Sequence, residues 1–373
     1  MPAAAYEGGR KEIKMFQLTE ENGRAALLGG WFLGGGGGGL PEGGEATLEE
    51  ALSIGPVNFL SIDELRDEEI ILTASLVGSP ASKDSCIARQ HYEQVYRQFC
   101  AAWSGEVAAL TTNETGAQSI SNGWITAALT GLPMVDGACN GRAHPTGLMG
   151  AMGLDQLADY RAVQAGAGGV GAHHTELCAV GTVGSTSQLI RQAAPLAGGF
   201  VTVLRNPVTA AYYRENAALG AVTQVIELGR LWQAHDQSAE SLLRMLQEQM
   251  ECRVLAKGRI SRVELKMTGG FDVGSLTVEN DGPPLEIDFM NEYLLAEQSG
   301  RRLATFPELI AVIDLASRRP VCSAQLRKGA EVAVVALPVR RLTLGRGMKI
   351  PQLFTVCEEA LGKPLCSYAF SQV

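Results

Sequence analysis

The chain has 373 residues, 46% hydrophobic and 19% charged, with a formal net charge of −9. That composition excludes a disordered chain, and the acidic balance argues against nucleic acid or an acidic membrane as partner. It leaves room for a small anionic ligand in a local basic pocket.

The first segment, "MPAAAYEGGRKEIKMFQ", has no apolar core of the kind a secretory signal needs, so residues 1–16 read as an N-terminal tail. Met15 is a second candidate start. "TEENGRAALLGGWFL" predicts a helix capped by Thr19 with acids in its first turn. Six glycines, Gly34 to Gly39, end it. Ordering such a run is costly in backbone entropy. Two readings are open: a slack linker, or a loop that turns bare backbone N–H groups toward a ligand. "TLEEALSI" predicts a helix restarting at Thr47.

"EEIILTASLVG" (68–78) predicts a buried strand and "IARQHYEQVYRQFCAAW" (87–103) an amphipathic helix. "EVAALTTNE" predicts a second strand. "GAQSISNGWITAALTG" predicts a helix closing near Gly131, and "LPMVD" a third strand ending at Asp136. Strands alternating with helices predict a three-layer α/β domain with a mostly parallel sheet over 17–165. In such sheets ligands bind beyond the carboxyl ends of the strands. Here those ends read "VGSPASKD", "TTNETGAQ" and "VDGACNGRAHP".

From 166 to 373 the pattern predicts a C-terminal α+β domain rich in strands. "GSTSQLIRQAAPLAGG", "TQVIELGRLWQAH" and "SAESLLRMLQEQM" read as helices. "GRISRVELKMTGGFDVGSLTVEN", "LEIDFMNEYLLAEQ" and "EVAVVALPV" read as strands, with a hairpin at "NDGP". The longest apolar stretch, Ala25 to Leu40, is too short to span a bilayer. Eight cysteines, none in a C-x-x-C unit, fit reduced thiols and a cytoplasmic chain.

"GAGGVG" (166–171) fits G-x-G-x-x-G, but lacks a following helix and an acid about 20 residues on. A flexible joint is the commoner reading, and no nucleotide cofactor is expected. Glu114 in "TTNETGAQSISNG", with Asn122 nearby, reads either as a helix cap or as a general base at the strand-end crevice. "VDGACNGRAHPTG" gathers Asp136, Cys139, Asn140, Arg142 and His144. Asp136, Cys139 and His144 could ligate a divalent metal, or the segment could be a plain turn.

Taken in order, the glycine run, "GSP", "ETG", "VDGACNGRAHP", "TGGFDVGSLTVE" and "DFMNEYLLAE" resemble the S-methyl thiohydantoin desulfurase family, long a domain of unknown function associated with hydantoin utilisation. The resemblance covers nearly the whole chain from about residue 17. It implies a two-domain protein that hydrolytically removes sulfur from a thiohydantoin-type ring. The positions matching the pattern are Gly35, Gly36, Gly37, Gly38, Glu114, Asp136, Gly141, Arg142, Pro145, Thr268, Gly269, Gly270, Asn291 and Glu292. The chain departs at Ala138 and Thr146, where the family commonly has acids, at Ser119, which replaces an asparagine, and at His144, where an aromatic is expected.

The chemistry expected is addition of water and loss of a thiol. Glu114 or Asp136 would be the base, Arg142 the brace for developing charge, and His144 the proton donor to the leaving group. The expected partner is a small anionic heterocycle, and the protein a homo-oligomer. Two rivals stand beside this reading: a hydrolase or lyase of another cyclic amide or imide, and a non-catalytic subunit binding a hydantoin-like ligand or a partner enzyme. The site is expected between the two domains.

Overall fold

A computed structural model describes residues 16–78, 86–268 and 270–370. The expectations placed on the N-terminal tail, Met15, Pro80 with its "GSP" motif, and Gly269 lie outside the described residues.

The chain opens with strand β1 (Phe16–Gln17) and helix α1 (Glu20–Leu33), which starts as the sequence predicts. Thr19 accepts from the Asn22 amide, and the Asn22 side chain accepts in return from the Thr19 amide at 2.7 Å. Helix α2 (Pro41–Ile54) begins six residues before the expected restart. Pro41 takes the first helical position, where its missing N–H costs nothing. Thr47 therefore lies inside the helix, its hydroxyl donating to Gly43 O.

Strands β2 (Asn58–Leu60), β3 (Ile70–Gly78), β4 (Val107–Thr112) and β5 (Met134–Ala138) follow, with α3 (Arg89–Ala102) and α4 (Trp124–Thr130) between them. The helix expected over the whole 116–131 segment is split. Gly123 sits at φ 98°, so only Trp124 onward is α-helical, and Gly131 at φ 74° ends it. Strands β6 (Ala162–Gly168) and β7 (Thr175–Gly181), helix α5 (Val183–Leu196), strand β8 (Phe200–Thr209), helix α6 (Ala210–Asn216), strand β9 (Ala218–Leu219) and helices α7 (Ala221–Ala234) and α8 (Ala239–Glu248) come next.

The first sheet runs β1-β2-β5-β4-β3-β8-β6-β7, with β9 on β5. Its heart, β2-β5-β4-β3, is parallel, and β8, β6 and β7 extend it antiparallel. Gly166–Gly168 of the "GAGGVG" segment, expected as a flexible joint, is buried strand paired with β7 and β8. Both faces are covered. Leu204 of β8 packs into the cluster formed with α1, α3 and α7, whereas its neighbours Val201 and Val203 pack under α5.

The second sheet holds β10 (Arg253–Thr268), β11 (Phe271–Glu279), β12 (Leu285–Met290), β13 (Glu292–Gln298), β14 (Arg301–Thr305), β15 (Leu309–Asp314), β16 (Arg319–Pro320) and β17 (Glu331–Leu337). Its pairings are all antiparallel among the described residues, in the order β14-β13-β12-β11-β10-β17-β15-β16. The "NDGP" hairpin joins β11 to β12 as the turn residues predict. Short helices α9 (Thr355–Leu361) and α10 (Cys366–Ala369) close the chain. The protein is thus an α/β unit joined to a β-rich one.

One hydrophobic cluster crosses from one half to the other. Leu309, Ala311, Val335 and Leu337 of β15 and β17 pack with residues of α1 and α7. The two helices meet closely because a Cβ on Gly229 would overlap the Ala25 backbone, and one on Gly29 the Val225 backbone. Continuous hydrophobic core therefore joins the halves.

Candidate active site

Where α1 ends, the glycine run turns between the halves and bonds to both. Gly35 O accepts from the Tyr293 amide at 2.7 Å and Gly36 O from the Ser323 amide at 2.8 Å, both in the β-rich half. Gly38 O accepts from the Gln118 and Ser119 amides of the α/β half at 2.8 and 3.0 Å. Gly35, Gly36, Gly38 and Gly39 all have positive φ. Space forbids side chains as well: a Cβ on Gly36 would lie 2.7 Å from the Tyr293 ring, and one on Gly38 2.6 Å from Gly116 Cα. The run is a tightly bonded seam, not a slack linker.

A cavity of about 120 Å³ opens at this seam. Gly36, Gly37 and Gly38 line it, with Glu114, His144 and Glu292. Asn122 and Asn291 also face it. Glu114 and Glu292, from different halves of the chain, thus share one cavity.

Glu114 follows β4 and is 8% exposed. Its Oε2 accepts from the His144 backbone amide at 3.1 Å and lies 3.2 Å from His144 Nε2. Neither ring nitrogen of His144 has an aligned hydrogen-bond partner, so the second contact is a close approach rather than a formed bond. Burial holds the His144 pKa below its ordinary value, against the pull of Glu114. Burial thus works against the protonated form that a His144 proton donor would need.

Glu292 opens β13 and is buried, with Oε2 lacking any partner. Burial pushes its carboxyl well above the usual range; Glu114 adds to the rise and Arg142 opposes it. Asn291, just before it, sits at φ 59°, a conformation asparagine tolerates better than most residues. Its Oδ1 accepts from the Asp272 amide at 2.9 Å, and its carbonyl from the Ser323 hydroxyl.

Other expected site residues stand outside the cavity wall. Asp136 turns to helix α7: its carboxylate accepts from the Thr223 amide at 2.9 Å and the Thr223 hydroxyl at 2.7 Å. It caps that helix. Arg142 is fully buried, with Nη1 donating to Pro307 O and Glu308 O and Nε to Ala143 O. Its guanidinium lies over the Phe306 ring at 4.5 Å, and a Cβ on Gly35 would come within 2.8 Å of its Nη2. It bolts the "NGRAHP" loop to the turn between β14 and β15. Burial brings its pKa down to about 10, with Glu292 and Glu114 countering. Asn140 ties the same loop inward, donating to Arg142 O and accepting from the Gly345 amide. Thr268 and Gly270 lie at the β10–β11 turn, away from the cavity lining.

The three metal-ligand candidates diverge. Asp136 engages Thr223, Cys139 lies 3.3 Å from the Thr73 hydroxyl, and His144 faces Glu114. Among the described residues, no three His, Cys, Asp or Glu side chains gather where an ion could sit.

The cavity also holds residues that sequence reasoning missed: Arg205, Arg191, Asp272, Gln118, Cys322 and Ser323. Arg205 carried a signal, a lone charge inside the apolar run "FVTVLRNPVT". Ser323 and Cys322 carried none, since only the tertiary fold brings them to the glycine run.

These features define a two-domain α/β protein with a cavity at the seam between its halves. The chain belongs to the S-Me-THD-like family. Residues 24–170 match that family's N-terminal domain and residues 183–356 its C-terminal domain. A solved structure of a protein from Chromobacterium violaceum is 20% identical, with a TM-score of 0.70, covering 92% of this chain and 97% of that one. At that identity the likeness is one of fold. No curated protein matches the chain. Among the described residues, no helix is long and apolar enough to cross a membrane.

Proposed function

We propose that the protein is a hydrolase-type enzyme that removes sulfur from a thiohydantoin-like ring, releasing a thiol. The observation that carries this reading is the pairing of two unlike carboxyl groups in one cavity. Glu114 is hydrogen-bonded to a backbone amide, and burial pushes the Glu292 carboxyl well above its ordinary range. Acid–base chemistry needs two groups whose environments push them apart in this way.

Water adds across the ring C=N bond that bears the sulfur. Its oxygen bonds to carbon, its proton passes to Glu114, and the ring nitrogen takes the proton held by Glu292. The C–S bond then breaks, its electron pair leaving on sulfur, which takes the proton from Glu114. The new hydroxyl returns its proton to Glu292 as the carbonyl forms. Both carboxyl groups end as they began, and the products are a hydantoin and a thiol. His144 steadies Glu114 through its backbone amide, and Arg142 lends positive potential from behind the cavity wall.

This assigns the base to Glu114 rather than Asp136, and the proton donor to Glu292 rather than His144. All eight cysteines are free thiols, which fits a reducing cytoplasm. Thr146, where the resembled family carries an acid, lines the cavity. That favours, as a second reading, a hydrolase or lyase acting on a cyclic amide or imide with different ring substituents.

The test is thiol release from a panel of S-methyl thiohydantoins by purified protein, beside the Glu114→Gln variant. Release by the wild type and its loss in the variant are expected. No release from any member, with hydrolysis of an unsubstituted cyclic imide instead, would favour the second reading.

A further inference from the structure

Arg205 sits in mid-strand on β8 and is 4% exposed. Its Nε has no hydrogen-bond partner, and it forms no ion pair among the described residues. Glu114, whose charge favours the guanidinium, shares the cavity but forms no ion pair with it and accepts instead from the His144 backbone amide. Arg191, on α5, lines the same cavity and likewise forms no ion pair among the described residues. Its guanidinium lies 4.3 Å above the Phe271 ring. The two arginines repel each other, and burial weakens the charged form of both. Ser187 precedes Arg191 by four residues, one helical turn, and also lines the cavity.

Gly147 completes this wall. A Cβ there would reach 3.3 Å from Arg205 Nη1 and 4.0 Å from Ser187 Oγ, so its bare backbone leaves open the space beside the guanidinium. A buried charge without a counter-ion is costly, and two of like sign in one cavity more so. Among the described residues no carboxylate forms an ion pair with either arginine, which leaves both guanidinium groups able to take an anionic ligand.

We infer that Arg205 and Arg191, with Ser187 and the opening at Gly147, form an anion subsite that holds a carboxylate carried by the substrate. The planar fork of an arginine matches the two oxygens of a carboxylate, so the group fixes the orientation of the ring against Glu114 and Glu292. This deepens the desulfurase reading and rests on it only for the rest of the molecule bound.

The experiment reads binding, not turnover. Thermal melting of the wild type, Arg205→Met, Arg205→Lys and Gly147→Val is followed with propionate, propionamide and inorganic phosphate at low ionic strength. Propionate is expected to raise the wild-type melting temperature saturably and propionamide not. Arg205→Met should lose that shift and, free of ligand, melt no lower than wild type. Arg205→Lys should bind propionate at least tenfold more weakly, and Gly147→Val should lose the shift through crowding. If Arg205→Met fails to fold or melts well below wild type, or if its propionate shift persists, the arginine is structural and the subsite is wrong. A phosphate shift much larger than that of propionate would replace the substrate carboxylate with a free phosphate. Intact propionate binding with no thiol release from any thiohydantoin would overturn the desulfurase reading alone.

Discussion

Gly37 and Glu292 are packed so closely that a Cβ on Gly37 would lie 2.5 Å from the Glu292 carboxyl carbon and overlap its Oε1. Unlike its neighbours, Gly37 does not need its glycine for a positive φ. It is glycine because the carboxyl group occupies the place of a side chain. Gly37→Ala should therefore expel the Glu292 carboxyl from its seat while leaving the backbone path permitted. Thiol release should fall at least tenfold, and stability by about 1–3 kcal/mol, the usual cost of overpacking. An alanine variant with wild-type turnover would show that the Glu292 position does not matter.

The proton affinity of Glu292 gives a signed pH dependence. Its folded pKa stands well above the ordinary 4.5. Between those two values the folded state holds a proton that the unfolded state has released, so stability falls as pH rises through that window. Glu292→Gln cannot ionise. Its melting temperature should exceed that of wild type above the window and converge with it near pH 4, while its thiol release is lost. Parallel melting curves for the two proteins from pH 4 to 9 would count against a raised Glu292 pKa.

His144 acts with the opposite sign. Its folded pKa is lowered from 6.5, so below pH 6.5 the unfolded state binds a proton that the folded state refuses. Stability should drop as pH falls from 6.5 toward that lowered value. His144→Asn should flatten this acid limb in the same melting series; an unchanged limb would place the titration elsewhere.

Asp136 serves helix α7 rather than the cavity, which separates stability from catalysis. Asp136→Ala should cost about 1–2 kcal/mol, as loss of a helix cap does. The kcat and KM of the folded fraction should stay at wild-type values. A large fall in kcat without a loss of stability would return Asp136 to the chemistry.

Arg142→Lys probes the bolt between the loop and the β14–β15 turn. Lysine keeps the charge but cannot span Pro307 O, Glu308 O and Ala143 O together. Denaturant melts should show a loss of about 1.5–3 kcal/mol, the range for a hydrogen bond to a charged group. A tenfold rise in KM at unchanged stability would instead give Arg142 a direct hold on substrate.

The sequence by itself determined the local elements and the family order of motifs. Thr19 with Asn22 fixed the start of α1, the apolar runs fixed β3, β4 and β5, and "NDGP" fixed the β11–β12 hairpin. These are short-range effects of capping, alternation and turn chemistry, which neighbouring residues suffice to impose. Helix α2 starts at Pro41 rather than Thr47 because a proline at the first helical position loses no hydrogen bond and has its φ already set for the helix. The glycine run was legible as unusual, but not as a seam. Its meaning comes from Tyr293, Ser323 and Glu292, more than 250 positions away, which close on bare backbone. In the same way, "VDGACNGRAHP" announced polar chemistry without saying which side chain faces where. Only the packing of α7 against β5 turned Asp136 away, only the β14–β15 turn engaged Arg142, and only β8 brought Arg205 to the cavity. Side-chain direction in an irregular loop is set by what long-range burial places beside it, and no local pattern encodes that.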